Sequence, residues 1–86
     1  MNNDLMQNID QIRTTDLGVE RIRRNLGLDT DDVVKWSKQK ILQADEITRK
    51  GKNWYVFAGD SVITVNAHSF TIITAHKRRS AAEPLS

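Results

Sequence analysis

The stretch between residues 47 and 77 constrains the fold most, because its pattern indicates four short strands joined by three tight turns. We place the turns at Gly51-Lys52, Gly59-Asp60 and His68-Ser69, since glycine and aspartate favour two-residue hairpin loops. Counting outward from each turn gives the cross-strand pairs. They are Arg49 with Trp54, Ile47 with Val56, Val56 with Ile63, Trp54 with Val65, Val65 with Ile72, and Ala67 with Phe70. All three hairpins then place apolar residues on one face, which independent turn positions would rarely do by chance.

The two faces of the predicted sheet differ in character. The apolar face holds Ile47, Trp54, Val56, Ile63, Val65, Phe70 and Ile72. The open face, turned away from the helices, holds Thr48, Lys50, Asn53, Tyr55, Phe57, Val62, Thr64, Asn66, Thr71 and Ile73. On this register Lys77 also points to the open face, whereas His76 reaches it only if the last strand twists or bulges near its end.

Apolar residues at helical spacing predict helices ahead of the sheet. The first covers residues 3–13, with an apolar stripe that begins at Leu5. The second begins at Thr15, a good N-cap residue, and stops at Gly27, which favours the left-handed conformation that ends helices. Whether the segment before Gly27 is one bent helix or two stays open. Gly18 weakens a helix, so it indicates close packing at that position.

A third helix begins with Asp29 or Thr30 as its cap. The face that it lays on the sheet comprises Val33, Val34, Ser37, Ile41 and Ala44. Helices followed by a meander of strands predict an α+β fold, with two or three helices on one face of a four-stranded antiparallel sheet. We expect one domain over residues 1–77, with helices in about 3–43 and strands in about 46–77, and a flexible tail over 78–86.

The composition excludes several classes of function. The chain has no cysteine, which rules out a disulfide scaffold and a thiolate zinc site. His68 and His76 lack acidic partners at ligand spacing, so we expect neither a metal nor another cofactor. The apolar runs are far shorter than the roughly 20 residues of a membrane span, and the amino terminus lacks the pattern of a secretory signal. A cytoplasmic protein without membrane association is expected.

Positive charge is unevenly distributed along the chain. Residues 1–48 carry a net charge of −2 and residues 49–86 a net charge of +4. The basic clusters are Arg21, Arg23 and Arg24; Arg49, Lys50 and Lys52; and Lys77, Arg78 and Arg79. Such clusters attract phosphate groups, although they also serve simply to solvate strand ends and a helix face.

Two functions fit the residue types on the predicted open face. The first is a non-enzymatic binding module that contacts a protein or a nucleic acid, with RNA preferred over DNA. Its predicted contact residues are Arg49, Lys50, Lys52, Tyr55, Asn66, His68, Arg78 and Arg79. The second is a metal-independent ribonuclease, in which histidine transfers protons and lysine stabilises the phosphorane. Its candidate catalytic residues are His76, Lys77, Lys50 and Thr71.

The binding module ranks first, because no acid and base can be placed together on one face. Each candidate also has a plainer interpretation, since His68 suits an ordinary turn, His76 suits solvent, and the outer face of an antiparallel sheet is normally solvated. The edge strands, 47–50 and 70–77, offer unpaired backbone groups through which two copies could form a homodimer.

Several short segments of the sequence resemble a family of small bacterial and phage-borne proteins, domain-of-unknown-function family 3781. The likeness covers about residues 14–77 and implies no activity. The family is expected to carry cysteine at the position of Ser37, so a thiol role does not transfer here. The segments that carry the resemblance are Leu17-Gly18, Arg21-Ile22, Asn25-Leu26, Asp32-Val33-Val34, Trp36, Lys40-Ile41, Arg49 to Val56, Ile63 to Ala67 and Thr71 to Lys77.

A fainter likeness is to the barnase, EndoU, colicin and RelE group of metal-independent ribonucleases. These enzymes place helices before a four-stranded antiparallel sheet and act from its open face. The segment from Ile72 to His76 is similar to the threonine-containing last strand of several such toxins. A shared fold does not transfer function, so no residue role is carried over.

Overall fold

The computed structural model describes residues 4–30 and 32–77, and it shows helices followed by a four-stranded antiparallel sheet. The helical elements are α1 (Asp4–Gln7), a 3₁₀ turn (Ile9–Gln11), α2 (Asp16–Leu26) and α3 (Val33–Leu42). The strands are β1 (Glu46–Lys50), β2 (Asn53–Ala58), β3 (Ser61–Asn66) and β4 (Ile72–Lys77), paired in the order β1-β2-β3-β4. The predicted α+β meander is confirmed. The predicted tail, with Arg78 and Arg79, lies outside the described residues.

The first two hairpins form as the sequence predicts. Gly51 and Gly59 each have φ +60°, and each occupies the first position of a two-residue loop, as the type II′ hairpin turn requires. The observed registers pair Arg49 with Trp54, Ile47 with Val56, Trp54 with Val65, and Val56 with Ile63. Local turn chemistry therefore sets the register of β1, β2 and β3.

The third hairpin differs from the prediction. Val65 pairs with Ile72 as expected, but Ala67 and Phe70 do not pair, because residues 67–70 form a longer loop. The Asn66 side chain organises this loop by accepting hydrogen bonds from the backbone N–H groups of His68 (2.9 Å) and Ser69 (3.0 Å). Asparagine stabilises turns through such local bonds, and here they displace a two-residue turn at His68-Ser69.

A β-bulge follows the third turn and changes which residues of β4 face the helices. Thr64 pairs with Thr74 instead of Ile73, so Ile73 is the extra residue. Beyond the bulge, His76 pairs with Val62 on the open face, and Lys77 pairs with Ser61 on the face toward the helices. The predicted orientations of His76 and Lys77 are therefore both wrong, because the bulge inverts the alternation of side chains.

The predicted helix over residues 3–13 is shorter and broken. Residues after the 3₁₀ turn become extended, and Arg13 forms a parallel bridge with Thr71 at the start of β4. The backbone N–H of Arg13 donates to Phe70 O (3.1 Å), and its carbonyl accepts from Ile72 N (2.7 Å). Pairing with the sheet thus removes this residue from the helix and separates α1 from α2.

The caps of α2 agree with the sequence, and the cap of α3 does not. Thr15 Oγ1 accepts from the backbone N–H of Gly18 (3.0 Å), and Gly27 ends α2 with φ +64°. The N-cap of α3 is Asp32, whose carboxylate accepts from Lys35 N (3.0 Å). Thr30 instead accepts a hydrogen bond from the Asp32 backbone, so it stabilises the turn that leads into the cap.

The hydrophobic core lies between the helices and the apolar sheet face. Its buried members are Leu5, Ile12, Ile22, Val33, Ile41, Trp54, Val56, Ile63, Val65, Ile72 and Ala75. Ser37, on the buried side of α3, is also fully buried. Ring contact between Trp54 and Phe70, with centroids 5.5 Å apart, extends the core toward the third loop. The helices therefore cover one face of the sheet and leave the other available.

Candidate binding surface

The open face consists of three rows of side chains, because residues paired across neighbouring strands point the same way. The first row is Lys50, Asn53 and Asn66; the second is Thr48, Tyr55, Thr64 and Thr74; the third is Glu46, Phe57, Val62 and His76. The core cluster includes none of these residues. Val62 and Thr64 are nevertheless only 8% and 7% exposed. Neighbouring side chains therefore cover Val62 and Thr64, so the middle of the open face is closely packed.

A depression of about 340 Å³ lies on the β1–β2 half of the open face. It is lined by Glu46, Thr48, Lys50, Tyr55 and Phe57. Thr48 Oγ1 donates to the Glu46 carboxylate (2.9 Å), which fixes the acidic side of the depression. Two aromatic side chains with an ammonium group and a hydroxyl nearby suit a planar group that also carries negative charge.

Most charged residues of the sheet separate toward its two ends; Lys77, opposite Ser61, is an exception, and it points away from the open face. The turn at residues 51–52 and the loop at 67–70 lie at the same end, where the Ala67 N–H donates to Lys52 O (2.8 Å). This basic end comprises Arg13, Arg49, Lys50, Lys52 and His68. At the opposite end, the Asp45 carboxylate accepts from the Gly59 backbone (3.0 Å), close to Glu46 and Asp60. An anionic ligand would therefore be oriented along the strands.

The two guanidinium groups of the basic end are held in place. Arg13 Nε donates to Ser69 O (3.1 Å), and Arg49 Nε donates to Gly51 O (3.0 Å). The Arg49 guanidinium also lies over the Trp54 ring, 5.4 Å from its centroid. Lys50 and Lys52 are exposed beside them. The basic end thus combines held guanidinium groups with exposed ammonium groups, and both kinds of donor bind phosphate.

Two of the predicted contact residues have different roles at this end. Asn66 uses its side-chain oxygen to hold the loop, since it accepts from His68 N, Ser69 N and Ser69 Oγ (3.3 Å). His68 stands exposed at the loop tip that Asn66 supports. Asn66 therefore positions the basic end, whereas His68 belongs to its accessible surface.

The four candidate catalytic residues are not brought together. His76 and Lys50 occupy opposite edges of the sheet and rows that differ by four residues, a separation of roughly 19 Å. Thr71 lies at the other end of β4 from His76, where its hydroxyl accepts from Ser69 Oγ (2.9 Å). Lys77 points to the other face. General acid–base catalysis requires these groups within hydrogen-bond reach of one substrate, and this arrangement does not provide that.

Arg13 is a member of the basic end that the sequence did not reveal. Its position depends on a bridge to Thr71, 58 residues further along the chain, and no local pattern encodes such a contact. Within residues 4–30 and 32–77, no group of three or more histidine, aspartate or glutamate side chains is arranged to hold a metal ion. In the same part of the chain, every helix is too short or too polar to cross a bilayer.

In a comparison with known protein families, one family model covers most of the chain. The model of one family, described as a protein of unknown function (DUF3781), matches residues 6–76. The chain belongs to DUF3781. The resemblance drawn from the residues is thereby confirmed, while the likeness to metal-independent ribonucleases stays a prediction. No curated protein and no solved structure matches the chain.

Proposed function

We propose that this DUF3781 protein is a binding module that holds single-stranded RNA on its open face. The observation that carries the proposal is that Tyr55 and Phe57, two residues apart on β2, line one depression together with Lys50 of the basic end. Aromatic side chains on an open antiparallel sheet stack with unpaired bases. Lysine and arginine at one end of the same surface contact the phosphates.

A single strand suits this surface better than a duplex. Bases must be unpaired to stack on Tyr55 and Phe57, and the basic end offers only a few charges, enough for a short backbone segment. Hydroxyl and amide groups of Thr48 and Asn53 adjoin the aromatic side chains on the same face. These groups can donate to or accept from a ribose 2′-hydroxyl, the group that distinguishes RNA from DNA.

The direct test measures binding of a fluorescently labelled single-stranded RNA by anisotropy, at low salt, for the wild type and for Tyr55→Leu. We expect the leucine variant, which keeps an apolar side chain but loses stacking, to bind about tenfold or more weakly. Thr74→Val, on the same row but two strands away, is the control and should bind as the wild type does. Circular dichroism shows whether each variant is folded.

Folded wild-type protein that does not bind RNA at low salt would contradict the proposal. A protein partner would then be the remaining candidate for the open face. Equal binding of RNA and of DNA with the same sequence would contradict only the proposed contacts to the 2′-hydroxyl and would leave single-strand binding itself supported.

A ribonuclease is the second candidate, because the bulge in β4 brings His76 to the open face. Incubation of RNA with a chelator separates the two functions. Cleavage that disappears in His76→Ala and persists in Lys77→Ala would favour the enzyme, since only His76 lies on the open face. RNA that the protein binds but does not cleave would favour the binding module.

A further inference from the structure

We infer that β1 is a self-pairing edge, through which two copies of this chain join their sheets antiparallel about a two-fold axis at Thr48. The result is one eight-stranded sheet with the open faces of both copies on the same side. The inference rests on the contrast between the two sheet edges and on the order of charges along β1. It does not depend on which ligand the open face binds.

The outer edge of β4 is already occupied by the chain itself. Ile72 donates its N–H to Arg13 O (2.7 Å) and accepts from Thr14 Oγ1 (3.1 Å). Further along, Asn25 Nδ2 of α2 donates to Ala75 O (3.2 Å). Together with the bulge, these bonds consume the groups that another strand would need, which is how proteins protect an edge.

In the part of the chain that the structure describes, the outer edge of β1 has no such protection. Lys50 and Asn53 close a two-residue hairpin loop, so Glu46, Thr48 and Lys50 direct their backbone groups toward β2. The alternate residues, Ile47 and Arg49, therefore direct N–H and C=O outward. Among residues 4–30 and 32–77, no helix or loop donates to or accepts from these outward groups. β1 thus presents the backbone pattern that a further antiparallel strand completes.

The sequence of β1 is complementary to itself in this arrangement. With Thr48 opposite Thr48 of the second copy, Ile47 and Arg49 exchange backbone hydrogen bonds across the axis. Glu46 then lies opposite Lys50 of the second copy, and this occurs twice because of the symmetry. Opposite charges directly across a strand pair are stabilising, whereas like charges are not. In this register the outward backbone groups of the two strands face each other, and oppositely charged side chains lie side by side.

The neighbouring register, centred on Ile47, fits less well. It would place Asp45 opposite Arg49 of the second copy. Asp45 lies before β1, and its backbone N–H already donates to Phe57 O (2.7 Å), so it cannot exchange hydrogen bonds with Arg49 of the second copy. Only residues 46–48 of β1 would then pair with each other, whereas the register centred on Thr48 pairs all of residues 46–50. A register centred on Arg49 would place like charges together. Thr48 is accordingly the preferred centre.

The pairing would bring two depressions together across the axis. Thr48, Lys50 and Tyr55 of each copy would line one continuous surface, and the Glu46 carboxylates, which repel phosphate, would be neutralised by lysine. The second copy therefore supplies charge to the site of the first. The open surface would then be twice as wide, measured across the strands.

A cysteine at the axis tests the register. The natural chain has no cysteine, so Thr48→Cys introduces a single thiol. In a non-hydrogen-bonded antiparallel pair the Cβ atoms approach closely enough for a disulfide. We expect Thr48→Cys to form a covalent dimer under mild oxidation. Lys50→Cys, the control on the same face, would place the two thiols about 13 Å apart along the strand and should remain uncrosslinked.

Charge exchange and proline substitution test the pairing without a crosslink. Sedimentation equilibrium should show that Glu46→Lys or Lys50→Glu weakens the dimer about tenfold, and that the double variant restores it. Arg49→Pro removes an outward N–H and should abolish the dimer, whereas Arg49→Ala keeps that N–H and should dimerise better than the proline variant. Circular dichroism confirms folding in each case.

Wild-type protein that is monomeric up to millimolar concentration would overturn the inference. So would equal crosslinking of Thr48→Cys and Lys50→Cys, or a double variant no better than either single one. These measurements contain no RNA, so their failure leaves the proposed function standing, and a failure of RNA binding leaves the dimer standing.

Discussion

Ser37 places a hydroxyl group in the hydrophobic core, and this has a measurable cost. The side chain is fully buried between α3 and the sheet, and its Oγ finds no hydrogen-bond partner among the described residues. An unsatisfied buried hydroxyl destabilises a folded protein by about 1–3 kcal/mol. Ser37→Ala should therefore raise the free energy of unfolding by about 1 kcal/mol, measured by urea denaturation.

A contrasting serine provides the control for Ser37. Ser69 Oγ donates to Thr71 Oγ1 (2.9 Å), so Ser69→Ala should lower the free energy of unfolding instead. Destabilisation by Ser37→Ala would mean that its hydroxyl has a partner in solution. Cysteine at this position behaves as a small apolar residue, so Ser37→Cys should be tolerated as well, in agreement with the resemblance noted in the sequence.

Gly18 shows why a poor helix former occupies the first turn of α2. It is buried, and a Cβ added there would collide with Thr14 Oγ1. That hydroxyl donates to Ile72 O (3.1 Å), so it can move only by losing a hydrogen bond to β4. Gly18→Ala should therefore not give the stabilisation of about 1 kcal/mol expected from helix propensity alone.

Removing the obstruction should restore part of that gain. In the Thr14→Ala background the new Cβ still lies 3.3 Å from Thr15 Oγ1, so Gly18→Ala should stabilise the protein by less than about 1 kcal/mol, and thermal or urea unfolding of the four proteins measures the coupling. Additive effects of the two substitutions would contradict the steric explanation.

Strand register shows how far local sequence determines the elements of this fold. The first two hairpins were predictable because Gly51 and Gly59 supply the backbone conformation that a two-residue loop requires. The third was not, because the Asn66 side chain competes with a tight turn and Phe70 adopts φ +57°, which is unusual for a residue with a side chain. The bulge at Ile73 follows, and with it the reversed orientations of His76 and Lys77.

Asn66 is the element-scale test of that explanation. Asn66→Ala removes the acceptor of two backbone N–H groups and one hydroxyl and should lower the free energy of unfolding by about 1–3 kcal/mol. Hydrogen exchange at residues 67–71 should accelerate more than in β1. Asn53→Ala, its cross-strand neighbour, removes no such turn contacts and serves as the control. An equal effect of both substitutions would contradict the role assigned to Asn66.

At the scale of the molecule, the candidate site was predictable only in part. The sequence predicted that Lys50 and Tyr55 share the open face, because both lie on hairpins whose turns are locally encoded. It did not predict that Arg13 joins them, since that contact depends on a bridge between distant parts of the chain. The separation of His76 from Lys50 was implicit in the predicted meander, in which they lie on opposite edge strands, but the bulge that turns His76 to the open face was not predicted.

The basic end gives a prediction that belongs to the whole molecule, because its charges come from three separate parts of the chain. If RNA phosphates contact it, then Lys50→Ala and Lys52→Ala should each reduce the slope of log affinity against log salt by about 0.7. Lys35→Ala and Lys38→Ala, on α3, remove the same charge from the side that carries the helices and should leave the slope unchanged. Anisotropy titrations at several salt concentrations measure these slopes. Equal effects of all four substitutions would show that net charge, and not the basic end, determines binding.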